Sequence, residues 1–131
     1  MTTLLETGMG KPGKTGIARV IDAFGYSMKG FAASWKYEAA FRQEVALAMI
    51  LIPTAFWLAQ SHIELILLIS SVFWVLMAEL ANSSVEAVVD RTGSERHELS
   101  GRAKDIGSAL VFVSLTLLVI VWSIVAINRF W

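Results

Sequence analysis

The sequence predicts an all-α integral membrane protein, with three membrane-crossing helices preceded by an amphipathic helix on the membrane surface. Three observations carry this. Of 131 residues, 56% are hydrophobic and only 17% charged, and the mean hydropathy is +0.62. An ordinary soluble domain is nearer half apolar and a quarter charged. Three long apolar runs follow one another with short polar breaks. Lys and Arg are distributed very unevenly between those breaks. There are no cysteines, which excludes disulfides, thiol chemistry and Cys-ligated metals.

Residues 1–15 are rich in Gly, Thr and Lys and read as a flexible tail without the apolar core of a signal peptide. Gly8 to Thr15 matches the phosphate-loop pattern GxxxxGK[ST]. Such a loop must follow a strand and open a helix in an α/β sheet, and nothing downstream builds one, so the match is rejected as a nucleotide site. From 16 to 36, Ile17, Val20, Ile21, Phe24, Met28, Phe31 and Trp35 recur at helical spacing. Arg19, Asp22, Tyr26 and Lys29 take the other face, as suits a helix lying in the interface. Gly25 and Gly30 are weak points in it.

The first span is expected over 39–59, with Pro53 tolerable inside a membrane helix. A short turn at 60–64 leads to the second span and its continuation, 65–90. A polar loop covers 91–98. The third membrane helix is expected over 102–127, with its apolar part from Ile106 to Ile127. Trp122, Phe130 and Trp131 near its end fit an interfacial aromatic belt. Six basic residues precede Val45, where the fully apolar part of the first span begins, none lies in the 60–64 turn, four lie in 91–104, and Arg129 alone follows. The N-terminus and the 91–104 loop are therefore expected in the cytoplasm and the C-terminus outside. No internal repeat supports an inverted-repeat transporter. Nucleic acid is not an expected partner.

The run Leu65 to Ala81 contains one charge, Glu79. At 100° per residue, Glu79, Glu86 and Asp90 lie within about 20° of one line, with Asn82 about 60° aside. A membrane helix thus carries a carboxylate stripe as it leaves the bilayer, where such groups are costly and need a reason. Topology gathers Glu38, Arg42, Glu44, Lys104 and Asp105 at the same face. Mg²⁺ takes one or two carboxylates plus phosphate oxygens, and Arg19, Arg102 and Lys104 are suited to phosphates. Together these are the minimum for phosphoryl transfer, with a submerged acid to accept a proton from a lipid alcohol. Taken singly, Glu86 and Asp90 read equally as solvated residues and Lys104-Asp105 as a helix-start pair. Glu79 with Asn82 also fits a helix–helix hydrogen bond, and His97 reads as a loop residue.

The block from Glu79 to Arg91, the stretch from Gly93 to Ala109, and Glu38 to Glu44 upstream resemble the bacterial integral-membrane diacylglycerol kinase family. The likeness covers about residues 16–131. It implies a small homotrimer of the bacterial inner membrane that phosphorylates diacylglycerol from ATP with Mg²⁺ to give phosphatidic acid. Within it, Glu79 corresponds to the general base and Asn82 to its support, and Glu38 and Glu86 to the metal ligands. Arg19, Tyr26, Glu38, Glu86, Glu95, Arg96, His97, Lys104 and Asp105 correspond to nucleotide contacts. Arg19, Ser27, Arg42, Glu79 and Ser108 correspond to lipid contacts. Arg96 and Met28 stand where the family pattern has Tyr and Trp. A single chain is too small to enclose Mg·ATP and a lipid, so the site is expected between protomers. The rivals are the same chemistry on undecaprenol, a small proton-coupled transporter using Glu79, and a non-catalytic membrane subunit.

Overall fold

The computed structural model describes residues 15–93 and 97–131. Four helices follow in order: α1 (Ile17–Tyr37), α2 (Ala39–Leu58), α3 (His62–Arg91) and α4 (Glu98–Phe130). The rejected phosphate loop lies almost wholly outside the described residues, as do Glu95 and Arg96. The chain divides into two compact units, one ending at Tyr37 and one running from Glu38 to Trp131.

In the first unit, Gly16 opens α1 with φ +61, a left-handed conformation that costs glycine nothing. Its carbonyl accepts from the Val20 N–H at 3.2 Å. The helix then runs unbroken through Gly25 and Gly30, and none of its residues is buried. Lys36 in the last turn complements the helix dipole.

In the second unit, α2, α3 and α4 are each long and apolar enough to cross a membrane. The spans are longer at several ends than the hydropathy pattern predicts, because polar caps start the helices early. Helix α3 begins at His62 rather than 65. Ser61 accepts from the Glu64 N–H at 3.2 Å, and the Glu64 carboxylate accepts from the Gln60 N–H at 2.8 Å. This is a variant of the reciprocal capping box, and it turns most of the expected 60–64 loop into helix. Helix α4 begins at Glu98 rather than 102, because His97 Nδ1 accepts from the Leu99 N–H at 3.0 Å. Within α2, Pro53 sits inside the helix without ending it.

Helix α3 is central. It packs extensively on α4 and well on α2, whereas α2 and α4 barely meet. A third of its most apolar stretch is buried, against 17% for α2 and α4. Most of the outward surface of those two helices is therefore left for lipid. One core layer joins Ala48, Val72, Val75 and Leu118, and another Ala55, Leu58, Leu68 and Val125. Alanine at 48 and 55 lets the α2 backbone approach α3 closely, the usual device where lipid supplies no hydrophobic drive between helices.

Trp122 corrects an expectation. It is not a membrane-interface anchor: it packs into the bundle, and its indole N–H donates to Ser71 Oγ at 3.1 Å. Ser71 passes its own proton to the Leu68 carbonyl at 2.7 Å. An indole N–H without a partner in hydrocarbon is costly, so the tryptophan goes where a hydroxyl can take it. The aromatic cluster at the end of α4 is instead built by Phe130, whose ring lies 5.9 Å from that of Trp57, and by the Arg129 guanidinium, 5.8 Å from the Trp57 ring. Asn128 closes the same end by donating to Glu64 Oε2 at 3.0 Å.

Replacing Trp122 by Phe should cost about 0.6 kcal/mol and at most about 1.7 kcal/mol, the range for one interhelical hydrogen bond in a membrane. Ser71→Leu should cost more, about 1–3 kcal/mol, by overfilling a closed contact. Detergent-titration unfolding in mixed micelles measures both.

Candidate active site

The acids come together because α3 carries two of them past a neighbouring acid on α2. Glu79 lies seventeen residues from the start of α3, roughly 26 Å along the helix axis. That is close to the full depth of a hydrocarbon core of about 30 Å. Its residue is only 4% exposed. Glu44 on α2, Glu38 just before it and Glu86 further along α3 are near enough to act on it electrostatically. Glu38 holds the N-cap position of α2 in an extended conformation, φ −118 and ψ 105, and its side chain makes no capping bond. Its carboxylate is thus left for other work.

Asn82 lies one turn beyond Glu79 and is also buried. Its amide donates to Glu86 Oε1 at 3.3 Å, so its bond runs to the outer acid of the stripe and not to Glu79. The room for Asn82 comes from α4. Gly107 is buried directly against the Asn82 side-chain oxygen, and a β-carbon there would collide with it. The small residue brings the two backbones together at the level of the site. Among the described residues, three buried side-chain oxygens lack a hydrogen-bond partner: Glu44 Oε2, Asn82 Oδ1 and Ser83 Oγ. All three belong to this end of the helices.

Outward of Glu86, Lys104 Nζ meets Asp90 Oδ1 at 2.7 Å. This joins α3 to α4 across the loop and gives Asp90 a partner on another helix. Lys104 pairs there and not with its neighbour Asp105, and it remains within electrostatic reach of Glu86. Arg102 pairs with Glu98 one turn back at 3.5 Å. His97 caps α4 through Nδ1, while Asp105 and Ser108 are exposed.

Not every expected residue joins this group. Arg19, Tyr26 and Ser27 belong to α1, in the other unit. There the Lys29 ammonium lies 5.9 Å from the Tyr26 ring, and the Ser27 hydroxyl donates to the Ala23 carbonyl at 2.9 Å. Arg42 is half-buried on α2. Glu95 and Arg96 fall outside the described residues. Glu44 and Gly107 received no role from the sequence. Glu44 follows Arg42 and Gln43 at the edge of an apolar run that begins at Val45, so it lacked the isolation that singled out Glu79. Gly107 could only be recognised once its facing residue was known.

Among the described residues, no three His, Cys, Asp or Glu side chains form a ready-made metal cage. Mg²⁺ does not require one, since it is normally held by one or two carboxylates with phosphate oxygens and water completing the shell. Glu38 and Glu86, an uncapped acid and an Asn-held acid flanking the buried one, fit that pattern. An open apolar groove of about 470 Å³ runs between α3 and α4, lined by Trp74, Met77, Ala78, Ala81 and Leu110 among others.

These features define a helical membrane protein whose acidic site lies at one end of its spans. The sequence profile described as prokaryotic diacylglycerol kinase matches residues 25–126. A diacylglycerol kinase of Haemophilus influenzae is 56% identical over 108 residues, covering 82% of this chain and 92% of that protein. One of Escherichia coli K12 is 52% identical over 116 residues, covering 88% and 95%. One of Pseudomonas aeruginosa is 48% identical over 116 residues, covering 88% and 94%. The chain belongs to the prokaryotic diacylglycerol kinase family and is an enzyme of that family.

Gly107→Ala should cost about 1–3 kcal/mol through collision with Asn82. Combined with Asn82→Ala it should cost less than the sum of the two single changes by at least about 0.5 kcal/mol. A detergent-unfolding double-mutant cycle measures this, and strict additivity would contradict the contact.

Proposed function

We propose that the protein transfers the γ-phosphate of Mg·ATP to the free hydroxyl of 1,2-diacyl-sn-glycerol, giving phosphatidic acid at the cytoplasmic face of the bacterial inner membrane. The observation that carries this reading is a nearly inaccessible carboxylate, Glu79, ringed by three others at the inner end of a bilayer-length helix. Such a position suits the meeting of a lipid headgroup with a soluble nucleotide. The excess of Lys and Arg in the N-terminal region and the 91–104 loop supports a cytoplasmic location for that end.

In this reading Glu79 accepts the hydroxyl proton as the lipid oxygen bonds to the γ-phosphorus. The bond from that phosphorus to the β–γ bridging oxygen breaks, and ADP leaves with it. No phospho-enzyme is required. Glu38 and Glu86 would hold Mg²⁺, which would neutralise phosphate charge. Asn82 keeps the Glu86 carboxylate directed, and Lys104, tethered by Asp90, offers an ammonium to phosphate. The groove between α3 and α4 supplies an apolar wall for an acyl chain. Arg19, Tyr26, Glu95, Arg96, His97 and Asp105 are assigned to the nucleotide, and Arg19, Ser27, Arg42 and Ser108 to the lipid. Helix α1 lies in the membrane interface. The assembly is a homotrimer whose sites are completed between protomers, since one chain leaves most of its apolar surface uncovered and cannot enclose both substrates.

Purified protein in mixed micelles with labelled ATP should phosphorylate diacylglycerol faster than undecaprenol; faster turnover of undecaprenol would overturn the substrate assignment. Glu79→Gln should lower turnover by about 10²–10⁴-fold with the oligomer intact, the usual contribution of a general base. Glu86→Gln should instead raise the Mg²⁺ concentration needed for half-maximal rate; an unchanged Mg²⁺ dependence would remove it from the metal site.

A further inference from the structure

Helix α4 meets the acidic stripe at one residue that the proposed chemistry does not use. Gly107 is buried. A β-carbon built on it would collide with Asn82 Oδ1 and stand 3.3 Å from Asn82 Cγ. The Asn82 Cα would be 3.8 Å away, an ordinary packing distance. The two backbones therefore have room for a β-carbon at this level, and only the Asn82 amide stands in its place. The nitrogen of that amide donates to Glu86 Oε1 at 3.3 Å, a bond already longer than usual. Its oxygen is buried with no hydrogen-bond partner. Asn82 is thus held by shape on the α4 side and by a single bond on the Glu86 side.

We propose that Gly107 is a positioning residue for the metal-holding acid: its missing side chain leaves Asn82 the space from which the amide reaches Glu86, and so fixes the carboxylate that takes the divalent cation. Glu86 is half-buried on α3, and a glutamate without a partner has many rotamers to lose when it is ordered. The Asn82 bond takes Oε1 and leaves Oε2 for the cation. Mg²⁺ demands nearly ideal octahedral geometry, so a misdirected ligand costs affinity, and partners of metal ligands matter almost as much as the ligands. Any side chain at 107 displaces the amide before it displaces a helix, because the amide alone is in the way. This inference rests on the assignment of Glu86 as a metal ligand.

The test measures Mn²⁺ binding by electron paramagnetic resonance, with a non-hydrolysable ATP analogue present, on the full-length protein in mixed micelles. The Mg²⁺ dependence of turnover is measured beside it. Gly107→Ala and Asn82→Ala should each weaken metal binding by about tenfold or more, the usual effect of removing a ligand's partner, with the KM for diacylglycerol unchanged. The double variant Asn82→Ala/Gly107→Ala should bind metal as Asn82→Ala does, because the amide that transmits the collision is gone. Glycine serving packing alone would lower detergent stability and leave metal binding as in wild type, and that result overturns the proposal. So does a further tenfold loss in the double variant beyond Asn82→Ala. Where Gly107→Ala alone does not fold, the double variant decides: parity with a weakened Asn82→Ala sustains the proposal, and a further loss overturns it. Glu86→Gln separates the two assignments. Wild-type Mn²⁺ binding in that variant would overturn the metal site itself, whereas weakened binding there with Gly107→Ala unaffected would overturn the role of Gly107 alone.

Discussion

Carboxylates crowded at the end of a membrane helix are the constraint on which the rest of the structure depends. Glu79 is buried, and Glu44, Glu38 and Glu86 are all near enough to act on it electrostatically. Four negative charges cannot coexist there without compensation, since each ion is costly away from water and each repels the others. One compensation is visible in the bundle: the amide of Asn82 donates to Glu86.

The packing of the bundle serves that arrangement. Helix α3 contacts both other spans, so residues on its inner faces lose solvent and lipid while residues on α2 and α4 mostly keep theirs. Close approach is set by small residues: Ala48 and Ala55 on the α2 side, and Gly107 on the α4 side at the level of Asn82. Further along, Trp122 and Ser71 join α3 to α4 by a hydrogen bond, and at the opposite end Glu64 and Asn128 do so again. With the Lys104–Asp90 pair beyond the site, the α3–α4 seam is tied by polar contacts at three levels. A seam tied along its length holds Glu79, Asn82 and Glu86 in fixed register against α4.

Much of this was legible because a bilayer simplifies the code. Apolar runs of about twenty residues become helices, as no other local structure satisfies the backbone in hydrocarbon. The periodicity of α3 placed Glu79, Glu86 and Asn82 on neighbouring faces before any packing was known. Helix ends were less legible. The caps at Ser61 and His97 extend α3 and α4 through polar residues that a hydropathy window reads as loop. Trp122 was misplaced for a related reason: position along the chain suggested the interface, while its indole N–H found a hydroxyl inside the bundle.

The sequence by itself determined the three spans and the costly acids on α3, because hydropathy and periodicity are properties of one strand of chain. Tertiary structure alone decided which acid faces which. It brought Glu44 within electrostatic reach of Glu79, turned Asn82 toward Glu86, paired Lys104 with Asp90 and placed Gly107 under Asn82. Each of those facts depends on the rotation and separation of two packed helices. They are set by where small residues permit contact, and no spacing within a single helix encodes them.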